Sequence, residues 1–281
     1  MQSSTKIDWF TGVRHFAQAH PFPLDAAGFT FVQCSGWSGY DVGSRELDTD
    51  IKRYTSTTRA DMGFALLASA SALGKLQSMY PTLHMLETLW NTGFREYSAT
   101  RLDLAVDLFD GGELAHKVAR SARRQVIRSK ARQVSVIEKV TGGDGITTYL
   151  GSRGSTRFIR VYDKNAESDG KVPTSRFEIQ CNKAFAAQCW RDIKSPTQAN
   201  LNTVTYAAIN GLVSDWGDES VNKELQFILS AVPPPQAPPP DDAWLWLSKS
   251  VLPTLQRDFY LQDDKRRTLI ARLLEAIERP E

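Results

Sequence analysis

Paired histidines, a cysteine framework and long apolar runs are all missing from this chain of 281 residues. Its four histidines, His15, His20, His84 and His116, stand apart from one another, so neither a His-hydrophobic-His pair nor an HExxH helix is available to a transition metal. The cysteines Cys34, Cys181 and Cys189 are odd in number and follow no zinc spacing. Reduced thiols are the expectation. No Walker loop occurs, and any metal would be a hard one held by carboxylates. No run of about eighteen apolar residues is present, and MQSSTKIDWF carries no apolar signal core, so the expectation is a cytoplasmic protein with no membrane partner. Charge excess is lacking too. The 34 Lys and Arg against 32 Asp and Glu leave a formal +2, so any affinity for nucleic acid has to come from local patches.

What the chain does have is chemistry on strands. In ATRLDLAVDLFDGG, strand alternation puts Arg101, Asp103, Ala105 and Asp107 on one surface and Leu102, Leu104, Val106 and Leu108 on the other. By the same count Arg160, Tyr162 and Lys164 of RFIRVYDK share a face, as do Arg176, Glu178 and Gln180 of SRFEIQC. If these strands are neighbours, one polar sheet surface collects carboxylates, a phenol and cations. That set suits phosphodiester transesterification: carboxylates hold Mg²⁺ or Mn²⁺, the phenol attacks phosphorus, and cations clamp the phosphate. A free phenol has a pKa of about 10, and Arg160 and Lys164, together with a bound metal, would favour its ionisation. The same alternation also builds ordinary cross-strand ion pairs, and tyrosine fits a pleated surface for its own sake. Spacing alone leaves both readings open.

The order of the segments goes further. RLDLAVD, a basic helix, YLGSRGSTRFIRVYDKNAES and RFEIQ, preceded by IDWFTGV, GWSGYDV and MGFALLASASALGKLQ, resemble the replication initiation factors of rolling-circle plasmids and filamentous phages, the Rep_trans type. The resemblance implies an enzyme of a bacterial host that nicks one DNA strand at an origin with Mg²⁺ or Mn²⁺, keeps the 5′ phosphate on a tyrosine and rejoins the strand. Carried onto this sequence, the nucleophile of the RxYDK block is Tyr162, flanked by Arg160 and Lys164, and the acidic positions Asp103, Asp107 and Glu178 become the metal site. Tyr149 in TTYLGS is the rival nucleophile; its other reading is a packed strand aromatic. Glu167, where the family often carries an acid after YDK, is left outside the metal set. A DNA-binding regulator without chemistry and a hydrolytic phosphodiesterase are the alternative functions. Origin DNA, a host helicase and a second copy of the chain are the partners.

ELAHKVARSARRQVIRSKAR, residues 113 to 132, has no acid after Glu113. As one helix it would bury Leu114, Val118, Ser121 and Ile127 and set Lys117, Arg120, Arg124 and Arg128 along another side to meet phosphates. Such runs are also often just solvated helix faces. The remaining pattern predicts an α+β fold: a curved, mostly antiparallel sheet, a strand-rich unit used twice, flanking helices and a C-terminal helical tail. The expected domains are a catalytic DNA-nicking domain over 1–230, a linker over 231–242, and a helical segment over 243–281. In the linker six of the eight residues from 233 to 240 are proline, an extended spacer.

Overall fold

The computed structural model describes residues 3–14, 29–138, 145–193 and 197–229. The chain divides into a unit over Met1–Pro235 and another over Gln236–Glu281; the expected linker and helical tail lie outside the described residues, as do His15 and His20. The strands are β1 (Ser3–Arg14), β2 (Phe31–Cys34), β3 (Val42–Glu46), β4 (Lys52–Thr55), β5 (Phe64–Ala68), β6 (Ser98–Leu108), β7 (Arg128–Ser129), β8 (Val134–Glu138), β9 (Ile146–Leu150), β10 (Arg157–Asp163), β11 (Ser175–Asn182) and β12 (Val213–Asp215). The helices are α1 (Ala70–Met79), α2 (Met85–Asn91), α3 (Glu113–Arg123), α4 (Lys164–Glu167), α5 (Lys183–Asp192), α6 (Gln198–Asn210) and α7 (Glu219–Leu229).

Ten strands form one antiparallel sheet in the order β2-β3-β4-β5-β1-β6-β11-β10-β9-β8. That order contains one connectivity twice. In the first half β1 lies beside β5 and the sheet descends to β2; in the second β6 lies beside β11 and descends through β10 and β9 to β8. The halves join where β1 runs antiparallel to β6. The predicted α+β class, and the strand-rich unit used twice, are what the topology shows.

The apolar row of β6 explains which face is covered. Leu102, Leu104, Val106 and Leu108 are fully buried together with Ile159, Val161, Phe177, Ile179 and Cys181, in one cluster that includes α3, α5 and α6 residues. Phe10 meets Phe94 at 5.3 Å and Trp190 at 4.8 Å, tilted contacts worth roughly 1 kcal/mol each beyond area burial. Cys181 and Cys189 are free and buried in this layer. Helix starts follow local capping: Ser69 accepts from the Ala72 amide at α1, and His84 forms a capping box with Glu87 at α2. Gly112 precedes α3 with φ of 96°, and a Cβ there would run into the Asp163 carboxylate. Only glycine lets α3 approach β10 so closely.

The basic run departs from expectation. Its helix stops at Arg123, because Arg124 is the C-cap and Gln125 takes a left-handed φ of 57°. Arg128 then pairs in β7 with β12. Lys117, Arg120, Arg124 and Arg128 therefore do not form one helical row. Compensation is also present, since Lys117 pairs with Glu113 at 2.8 Å and Arg123 pairs with Glu138.

Candidate active site

Three rows of side chains cross the polar face of β10, β11 and β6. Register sets Tyr162 beside Arg176 and Arg176 beside Asp107; the next row is Arg160, Glu178 and Ala105; the third is Phe158, Gln180 and Asp103. Since all lie at alternate positions, they share one surface. On the outer flank β9 adds Thr147 opposite Tyr162 and Tyr149 opposite Arg160. On the inner flank β1 adds Lys6 opposite Ala105 and, two residues on along the same face, Asp8, just before a register shift that brings Trp9 opposite Asp103.

Arg176 is the hub. Its Nε and Nη2 donate to the two Asp107 carboxylate oxygens at 2.5 and 2.8 Å. Its Nη1 donates to Asp8 at 3.3 Å and to the Tyr162 hydroxyl oxygen at 3.4 Å. The Tyr162 hydroxyl in turn donates to Glu178 Oε2 at 3.4 Å. Glu178 is bound by Arg160, whose Nη2 also lies 3.7 Å from Asp103. Arg101 holds Asp103 with two hydrogen bonds of 3.0 and 2.6 Å, and Lys6 reaches Asp107 at 3.2 Å. Arg160 Nε is buried without a partner, a donor that a ligand oxygen would satisfy.

Burial governs the ionisation here. Asp103, Asp107 and Glu178 are all buried, which disfavours charge. The Glu178 carboxyl is pushed up to about 7 by burial and by the nearby carboxylates Asp8 and Asp103, against the pull of Arg160. Asp103 is raised by burial despite Arg101 and Arg160. Asp107 goes the other way: burial would raise it, but Arg176 and Lys6 hold it below the usual range. Burial lifts the Tyr162 phenol well above its ordinary value and Glu178 adds to this, while Arg176 pulls down only in part. Arg160 and Lys164 do not by themselves offset the burial of this phenol. Arg160 is committed to Glu178 and Asp103. Lys164 has left the strand, because Asp163 caps α4, and it pairs with Glu167 at 2.5 Å. An ionised Tyr162 needs a base, and the group within reach is Glu178.

Residues 97–270 match the family model described as Replication initiation factor. The chain belongs to the replication initiation factor family. A solved structure of similar fold is that of the rolling circle replication initiator protein from Geobacillus stearothermophilus, at a TM-score of 0.61 and 18% identity over 82% of this chain and 97% of that one. Curated proteins give no match to the chain.

In this initiation factor the predicted residues Tyr162, Arg160 and Glu178 are brought into one network, with Arg176, which the sequence placed on the face but gave no role, at its centre. The acidic trio is on one face but is not drawn together. Among the described residues no three His, Cys, Asp or Glu side chains converge on a metal-sized point, because guanidinium groups stand between the carboxylates. As arranged, Asp103, Asp107 and Glu178 do not fit a metal ion; one would enter only by displacing Arg160 or Arg176. Glu167 is at the exposed rim on Lys164. His116 lies 3.2 Å from Asp163, below the network, and His84 is a helix cap, so neither histidine enters it. Asp8 and the central role of Arg176 are what sequence reading missed. Asp8 lies two residues beyond Lys6 and next to the buried Ile7, so alternation along IDWF already puts it on the polar face.

Among the described residues no helix is long and apolar enough to cross a membrane.

Proposed function

We propose that this replication initiation factor nicks one strand of origin DNA by transesterification and rejoins it, acting in rolling-circle replication in the cytoplasm of a bacterial host. The observation that carries the reading is the Tyr162 hydroxyl held between Arg176 and Glu178, the latter with a carboxyl near neutrality. Glu178 takes the phenol proton as the Tyr162 oxygen forms its bond to phosphorus. The bond from phosphorus to the 3′ oxygen breaks, the departing oxygen gains a proton, and the 5′ phosphate stays on Tyr162. Arg176 stabilises the phenolate as it forms, and Arg160, which lines the cleft beside Tyr162, adds positive charge toward the phosphoryl oxygens. Lys164, with Nζ 5.8 Å from the Tyr162 ring centre, adds positive charge at the rim.

A divalent metal, if the reaction uses one, would draw on Asp103, Asp107 and Glu178 only after the Arg160 and Arg176 pairings that now separate them were rearranged. Lys117, Arg120, Arg124 and Arg128 contact the DNA backbone on this reading, and a host helicase and a second copy of the chain are the protein partners. The test incubates the full chain with Mg²⁺ or Mn²⁺ and single-stranded oligonucleotides tiled across the replicon that encodes it, followed by a denaturing gel beside Tyr162→Phe. A protein-DNA adduct that vanishes in Tyr162→Phe is expected. Cleavage without an adduct would indicate hydrolysis, and binding without cleavage a regulator.

A further inference from the structure

A cavity of about 320 Å³ opens directly beside Tyr162, near the small end of the usual range for ligand sites. Its walls include Tyr149, Thr147, Arg160, Ile137 and Glu167. Tyr149 lies one row from the nucleophile, opposite Arg160. Its ring is fixed from one side by Phe158, with centroids 5.6 Å apart and planes at 13°, and Phe158 is itself buried. Ile137, on the edge strand β8 opposite Thr147, is 58% exposed. The exposed Ile137 side chain, the Tyr149 ring and Arg160 together offer an apolar wall, an aromatic face and a cation. A phosphate alone would meet only the cation. A flat heteroaromatic ring joined to a phosphate satisfies all three.

We propose that this cleft receives the unstacked base of a nucleotide flanking the scissile phosphate, with the Tyr149 ring as its stacking platform and Ile137 as the opposing wall. The proposal rests on the nicking reading and deepens it, since a base held there fixes which phosphate faces Tyr162. It also gives the second tyrosine a role other than nucleophile: its ring matters and its hydroxyl does not. Stacking of one base on an aromatic residue typically carries about tenfold or more in affinity.

The probe is the oligonucleotide that the wild-type chain converts to adduct, together with copies bearing an abasic site at each nucleotide next to the nick. Binding is read by anisotropy in the Tyr162→Phe background, where no chemistry intervenes, and KM for adduct formation is read with Tyr162 intact. An abasic site at one flanking position is expected to weaken binding about tenfold with no change in the protein. Tyr149→Ala and Tyr149→Leu, which keeps apolar bulk without a ring, should give a similar loss, Tyr149→Phe should recover most of it, and the abasic and Tyr149→Ala losses should not multiply. Multiplying losses, or no abasic effect at either position, would overturn the cleft assignment while leaving nicking intact. Loss of the adduct in Tyr149→Phe would make the hydroxyl the active group and overturn it as well. Absence of a wild-type adduct with every strand removes the nicking reading, and the inference with it.

Discussion

Replacing Glu178 by Gln tests the proton's route. An ordinary phenol with a pKa of about 10 is ionised to roughly one part in a thousand at pH 7, and burial of Tyr162 lowers that fraction further. Spontaneous ionisation is therefore the poorer path, and a base 3.4 Å away supplies the better one. A positioned general base typically contributes about 10²- to 10⁴-fold, and Glu178→Gln should lose that much in the rate of adduct formation at pH 8. In wild type the logarithm of the rate should climb with unit slope and level off above about 7, where Glu178 has lost its proton. The variant should show no such bend and keep rising with pH. Single-turnover assays on the cleaved oligonucleotide at fixed metal concentration read both curves. A bend near 7 that survives in Glu178→Gln would refute the base assignment. A bend that moves to lower pH as Mn²⁺ is raised would instead make Glu178 a ligand, because metal and proton would then compete for it. The same shift predicts a stability effect of definite sign. Folding raises the Glu178 carboxyl from an ordinary 4.5 to about 7, so the neutral acid favours the fold; its contribution is complete below about 4.5 and disappears as pH rises through 7. At about 1.36 kcal/mol per unit this amounts to roughly 3 kcal/mol. Urea unfolding midpoints of wild type should fall over that window relative to Glu178→Gln.

Two further outcomes follow from the ion pairs. Arg176→Met leaves Asp107 buried with only Lys6 as a cation, which should cost about 3 to 5 kcal/mol in urea unfolding; Asp107→Leu added to it should recover much of the loss, and additive losses would contradict a paired role. Arg120→Gln, Arg124→Gln and Arg128→Gln should each lower the slope of log affinity against log salt by about 0.7 to 0.9 if each meets a phosphate. Lys117→Gln should do less, since Glu113 already pairs with Lys117; equal slopes for all four would return them to a single DNA-facing row.

Period-two alternation gave away the face of each strand from the sequence alone. Leu102, Leu104, Val106 and Leu108 had to be buried together, which forced Asp103 and Asp107 onto the opposite surface. The same logic placed Tyr162 with Arg160, and Glu178 with Arg176, before any neighbour was known. Capping was partly legible too, since Asp163 at the end of its strand is a good N-cap, though its consequence for Lys164 was not drawn. The basic run was misjudged because helix composition continues past Arg123 while the backbone at Gln125 does not, and the reason lies in the pairing of Arg128 with the distant Val213–Asp215 strand.

What the chain determined by itself was local: which side chains alternate inward, which family its motifs resemble, and which residue types are on hand for phosphoryl chemistry. Tertiary structure decided the rest, through register and burial. Asp8 joins Arg176 across 168 positions of sequence because β1 closes against β6. Glu178 becomes a near-neutral acid, and Tyr162 a reluctant one, because the surrounding strands exclude water. Spacing in a sequence carries neither the desolvation nor the distances that set those two properties.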